Sequence, residues 1–127
     1  MQADDLLRRV RVSGGLADRE EAERWTLAVV TALSHLLPNA ETRRHFVSQL
    51  PGVLKFRLQA EPPHSLLMDR EAFLQHIGAG LGTHTPEAER ALRVVYGVLR
   101  EALSTGEVTA VEAQVPKDIA ALLRGLT

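Results

Sequence analysis

FVSQLPGVL at residues 46–54 and VEAQVPKDI at residues 111–119 share one phrase: Gln, an apolar residue and Pro, set in an apolar frame that begins three residues before the Gln and ends three after the Pro. Proline fixes its own φ and keeps the residue before it out of the helical region. Each copy therefore reads as a joint: one short helix ends near Gln49 or Gln114, and another begins at Pro51 or Pro116. Leu50 and Val115, held extended between them, are expected to be buried, and the Gln side chain is expected to bond a backbone group freed at the break.

Working outward, the correspondence continues. Glu21-Ala22-Glu23-Arg24 recurs as Glu87-Ala88-Glu89-Arg90, and Val29, Leu33 and Leu37 align with Val95, Leu99 and Leu103. Upstream, Leu6, Leu7 and Val10 align with Phe73, Leu74 and Ile77, whose spacings put them on one helical face. The sequence thus reads as two tandem copies of one unit, about 4–58 and 71–126, joined by the Pro-containing connector Ala60-Glu61-Pro62-Pro63-His64-Ser65 at 60–65.

Each unit reads as a short helix (4–12; 70–79), a long one, and two short ones meeting at the Gln-x-Pro joint. Gly14 and Gly15, and Gly78, Gly80 and Gly82, are expected to end the first helix. Asp18 with Glu21 fits a capping box for the second, and Thr85 followed by Pro86 fits a cap with proline at the first helical position. The buried stripes predicted for the long helices are Ala22, Trp25, Val29, Ala32, Leu33 and Leu36, and Ala88, Ala91, Val95, Val98, Leu99 and Ala102. Glu20–Arg24 and Glu89–Arg93, four apart, would support the solvent faces. A third helix is expected over 41–49 and 107–114. A unit of about 60 residues buries too little surface to stand alone, so the two copies are expected to pack together. The predicted fold class is all-α: one domain over 1–127, pseudo-symmetric, with six to eight helices.

Composition agrees. With 45% hydrophobic and 24% charged residues the chain has a globular balance, and the scarcity of aromatics leaves Leu, Val and Ala to build the core. Cysteine is absent, which removes disulfides, thiolate nucleophiles and cysteine-based metal sites. No apolar run approaches the roughly 18 residues of a membrane span, and Met1-Gln2-Ala3-Asp4-Asp5 is acidic where a secretory signal is basic. A cytoplasmic location and no membrane partner are expected. The net charge of −1 gives no general electrostatic case for nucleic acid.

Chemistry-bearing constellations are hard to find. His35, His45, His64, His76 and His84 include no pair four apart, HExxH is absent, and surface histidine is the plainer reading, although His76 and His84 flank one glycine loop. Carboxylates fall mainly in first turns, where capping and the helix dipole account for them. GxSxG, GxxxxGK[ST] and GxGxxG are absent. The basic clusters are Arg8-Arg9-Val10-Arg11 and Arg43-Arg44-His45, without interleaved aromatics. Arg43, Arg44 and His45 are retained as surface candidates. Trp25, matched by Ala91, reads as core filling.

EEAER, a long apolar helix ending in LLP, SQLP, DREAFLQHI, a second EAER, GEV and AQVPKDI together resemble the bacterial family catalogued as domain of unknown function 2267, over nearly the whole chain. Members of that family commonly carry a tyrosine and a Gly-Trp pair after the first Gln-Leu-Pro, where this chain has Lys55-Phe56-Arg57-Leu58. The resemblance implies a small helical cytoplasmic protein, sometimes linked to stress-associated genes, with no established activity to transfer. The expectation is a non-catalytic interaction or regulatory module that binds a protein partner or itself, with no cofactor and no metal. The alternatives are a small-molecule binder or enzyme with a pocket between the repeats, and a weak nucleic-acid binder.

Overall fold

The long apolar stripes place α2 and α6 at the centre of the fold. In the computed structural model, which describes residues 1–60 and 65–125, the chain forms α1 (Ala3–Gly14), α2 (Arg19–Leu36), α3 (Ala40–Ser48), α4 (Gly52–Gln59), α5 (Arg70–Leu81), α6 (Thr85–Ala102), α7 (Thr105–Gln114) and α8 (Lys117–Gly125). The described residues are all-helical, without a strand. Helix lengths run 12, 18, 9 and 8 residues in α1–α4, then 12, 18, 10 and 9 in α5–α8. Four residues of the connector, 61–64, lie outside the described residues.

Helices α1, α2, α5 and α6 form the core: α1 packs on α2 and α6, α2 on α5 and α6, and α5 on α6. Leu6, Leu7 and Val10 from α1 meet Val29, Leu33, Phe73, Ile77, Ala91, Val95 and Leu99 in one buried cluster. All six stripe residues expected on α2 are buried, as are five of the six on α6; Ala102 is half-buried. Burying each Val, Leu or Ile side chain contributes about 1.5–3 kcal/mol. The shorter helices sit around this core, α3 against α2 and α4, α4 also against α1, and α8 against α5 and α7.

Local signals explain the boundaries. The Asp18 carboxylate accepts from Glu21 N–H at 2.9 Å, and Glu21 reaches back to Ala17 N–H at 3.3 Å. Asn39, Asp69 and Ser104 cap α3, α5 and α7 in the same way. Helices α1 and α5 end on Gly15 and Gly82, which adopt φ of 63° and 66°, a conformation that costs other residues energy.

Some expectations give way. Gly78 and Gly80 lie inside α5, which continues to Leu81 before Gly82 ends it. The α6 cap is His84, without a side-chain bond, and Thr85 is the first helical residue. The first four N–H groups of a helix have no intrahelical acceptor, so Pro86 fits one position later than expected. Neither Glu20–Arg24 nor Glu89–Arg93 closes an ion pair among the described residues; Glu89 faces Arg70 at 3.6 Å instead.

At the joints, Pro51 (φ −66°, ψ 144°) immediately precedes α4, and Val115 (φ −82°, ψ 160°) is extended before Pro116. Leu50 and Val115 are buried. Among the described residues the Gln49 and Gln114 side chains make no hydrogen bond. Backbone bonds close the breaks instead: Leu50 N–H to Val47 at 3.1 Å, Val115 N–H to Val111 at 3.2 Å, then Lys55 N–H to Pro51 at 3.2 Å and Ala120 N–H to Pro116 at 2.8 Å.

Candidate interaction surface

The two helices that follow the Gln-x-Pro joints are seated very differently. Helix α8 buries Ile119, Ala120, Leu122 and Leu123, whereas α4 buries Leu54 alone, with Leu58 half-buried. In the register set by the joints, Val53 and Phe56 stand where α8 has Asp118 and Ala121. Val53 is 41% exposed and Phe56 72%, and their three-residue spacing puts them on one outer face of α4. So α4 is apolar on two sides, only one of which meets the core. Lys55 and Arg57 are its charged residues, and Arg57 bonds Glu23 on α2 at 2.7 Å.

Beside α5 lies an open groove of about 420 Å³ lined by Asp69, Arg70, Glu71, Leu74, Thr85, Glu89 and Asp118. Asp118 accepts from the Arg70 backbone N–H at 2.8 Å and ties α8 to the start of α5. A second open groove, about 460 Å³, runs between α1 and α6 and is lined by Arg8, Arg9, Val12, Ser13, Val98 and Glu101. Its two guanidinium groups are engaged, Arg8 by Asp5 and Arg9 by Glu101.

The basic candidates divide. Arg43 is structural in its contacts: it donates to Leu37 O at 3.3 Å and Ser65 Oγ at 2.7 Å, holding the far end of the connector against the C-terminus of α2. Arg44 is exposed. The His45 imidazole lies 2.6 Å from the carboxylate of Glu107, itself only 3% exposed, so the pair links α3 to α7.

Surface histidine fails as a general reading. His35 is buried and lies 3.0 Å from His76, which turns to it across α2 and α5. His84 is exposed, and His64 lies outside the described residues. Periodicity could not place His35, because the last turn of α2 is buried all round, from Ala32 to Leu37. What covers it is distant in sequence: Ser65 Oγ bonds Leu37 O at 2.9 Å and Leu66 N–H bonds His35 O at 2.8 Å.

Two further polar contacts brace α6. Tyr96, buried, donates to Glu112, which also faces Arg124 Nε at 3.4 Å and Arg100 Nη1 at 3.9 Å. Burial above all, and then the Glu112 carboxylate, holds the Tyr96 hydroxyl well above the usual tyrosine range. Trp25 is buried as expected and carries the Arg90 guanidinium 5.1 Å from its ring centroid, while Arg90 also bonds Gly14 O.

Among the described residues no group of three or more His, Asp or Glu is arranged to hold a metal ion, and no helix is long and apolar enough to cross a membrane. Among the described residues these features define an all-α protein of eight helices, whose polar clusters join helices and whose α4 carries an uncovered apolar face. The chain belongs to the family described as uncharacterized conserved protein, domain of unknown function 2267, whose model matches residues 3–122. A comparison with curated proteins gives no match.

Proposed function

We propose that this protein is a non-catalytic helical interaction module that offers the outer face of α4 to a protein partner. The observation that carries the reading is the contrast in α4: one buried residue, Leu54, against an exposed Val53–Phe56 face. A large aromatic side chain left in water beside cationic neighbours is the composition of an interface anchor, where Trp, Tyr, Phe and Arg are enriched. The polar clusters support the same reading. His35–His76, His45–Glu107 and Tyr96–Glu112 are each spent on joining one helix to another, which leaves their side chains tied to the scaffold.

The same reading takes residues 1–127 as one domain of two tandem copies, supported by the matching order of helix lengths in α1–α4 and α5–α8. A cytoplasmic site of action fits a chain without cysteine. Nucleic acid is the lesser reading, since Arg43 is engaged by Leu37 and Ser65 and Arg57 by Glu23.

Affinity capture with the immobilised protein tests the proposal. A partner retained by the natural protein and lost with Phe56→Asp, at unchanged melting temperature, is the expected result. Identical capture by both would sink it.

A further inference from the structure

We infer that the partner met by α4 is a second copy of this chain, whose acidic groove beside α5 receives the Val53–Phe56 face. This rests on the interaction reading above and names the occupant.

The argument is one of complementary shape and charge. Helix α4 contributes Lys55 and Arg57 and no acid; Arg57 is already paired with Glu23 on α2, so Lys55 is the cation beside the exposed phenyl ring that makes no ion pair among the described residues. The groove has Leu74, 4% exposed, among its walls, and sets the carboxylates of Asp69, Glu71, Glu89 and Asp118 against the one guanidinium of Arg70, a local charge of −3. Arg70 is itself paired with Glu89, so it does little to repel an incoming cation. Lys55 and Glu71 form no ion pair among the described residues and stay available for each other across a contact. A cavity of roughly 150 Å³ holds a benzene ring; the groove, at about 420 Å³, has room for the Phe56 ring and the Lys55 ammonium.

Face-to-face pairing of two α4 helices is less favourable, because it sets Lys55 against its own copy with no acid on the helix to meet it. The apolar face and the groove are different surfaces, so the contact is head-to-tail and extends from copy to copy unless a ring closes. An eight-residue helix covers less than the roughly 800 Å² per partner of a standard interface, so the association is weak and concentration-dependent.

Light scattering on the full chain tests this. In low salt, the average mass is expected to rise at least twofold between about 10 µM and 1 mM protein, and the rise is expected to collapse at about 0.5 M salt as the charges are screened. Phe56→Ser and Glu71→Lys, both at exposed positions, are each expected to remain monomeric. Mixed together they are expected to form a one-to-one pair, since the first keeps an intact groove and the second an intact α4. A natural protein that stays monomeric throughout this range overturns the inference, as does association that survives Phe56→Ser. If the chain stays monomeric yet captures another protein through Phe56, the second-copy assignment falls and the interaction reading stands. If it stays monomeric and capture is indifferent to Phe56, both fall.

Discussion

His35 on α2 and His76 on α5 are joined by a hydrogen bond of 3.0 Å between Nδ1 and Nε2, one imidazole donating to the other, across 41 residues of sequence. Helices α2 and α5 are core neighbours, so this polar contact lies beside the apolar contacts that hold the fold. A hydrogen bond adds only about 1 kcal/mol net, but leaving a buried group without its partner costs about 1–3 kcal/mol.

His76→Leu is accordingly expected to lower unfolding stability by about 1–3 kcal/mol, while His76→Gln, which keeps a donor and an acceptor, loses less. Urea denaturation measures both. Equal losses for the two variants would show that side-chain packing, and not the hydrogen bond, is what matters there.

Glu107 supplies the second link between distant helices. Its carboxylate is 3% exposed and has one oxygen on His45 Nδ1 at 2.6 Å, while the other is buried without a hydrogen-bond partner. Removing the imidazole strands a buried carboxylate, so His45→Ala is expected to cost about 1–3 kcal/mol, and Glu107→Gln in the same background is expected to recover part of that loss. A double-mutant cycle reads the coupling; additivity of the two changes would contradict it.

Glu107 also shows where the sequence stops being legible. It aligns with Glu41, and both are first-turn residues, one in α7 and one in α3, yet Glu41 is exposed and Glu107 is buried. Glu107 meets His45 on another helix at 2.6 Å, a contact that no local pattern reports. The helix stripes, the caps at Asp18 and the Gln-x-Pro breaks were legible because backbone geometry and apolar spacing set them locally. The unequal seating of α4 and α8 was half-legible: Phe56 standing where α8 has Ala121 is visible when the two Gln-x-Pro stretches are aligned, but its 72% exposure is set by the packed fold and not by local pattern.

Tyr96 gives a pH dependence whose sign follows from its surroundings. Burial, and next the Glu112 carboxylate, raise the pKa of the hydroxyl above its unfolded value of about 10, so the folded chain holds the proton more tightly than the unfolded chain. This contribution is fully present below about pH 10 and is lost as the pH climbs beyond, with a slope of up to about 1.4 kcal/mol per pH unit. Tyr96→Phe is expected to flatten that alkaline loss, seen as a shallower fall of the denaturation midpoint between about pH 10 and 11.5. The same slope in both proteins would assign the alkaline loss to other groups.

Glycine replacements in α5 separate propensity from packing. Alanine is favoured over glycine within a helix by about 1 kcal/mol, and on that ground Gly78 and Gly80 are equivalent. Their surroundings differ: a methyl group added at Gly78 meets the Thr83 carbonyl oxygen at 2.8 Å, whereas at Gly80 it meets Ala28 Cβ at an ordinary 3.4 Å. The Thr83 carbonyl belongs to backbone whose N–H is bonded to Gly78 O at 2.9 Å, so it cannot retreat without breaking the turn that links α5 to α6. Gly78→Ala is therefore expected to destabilise by about 1–3 kcal/mol, the usual cost of overpacking, and Gly80→Ala to stabilise by about 0.5–1 kcal/mol. Thermal melts of the two variants decide it, because propensity alone moves both upward and the observed packing moves them apart.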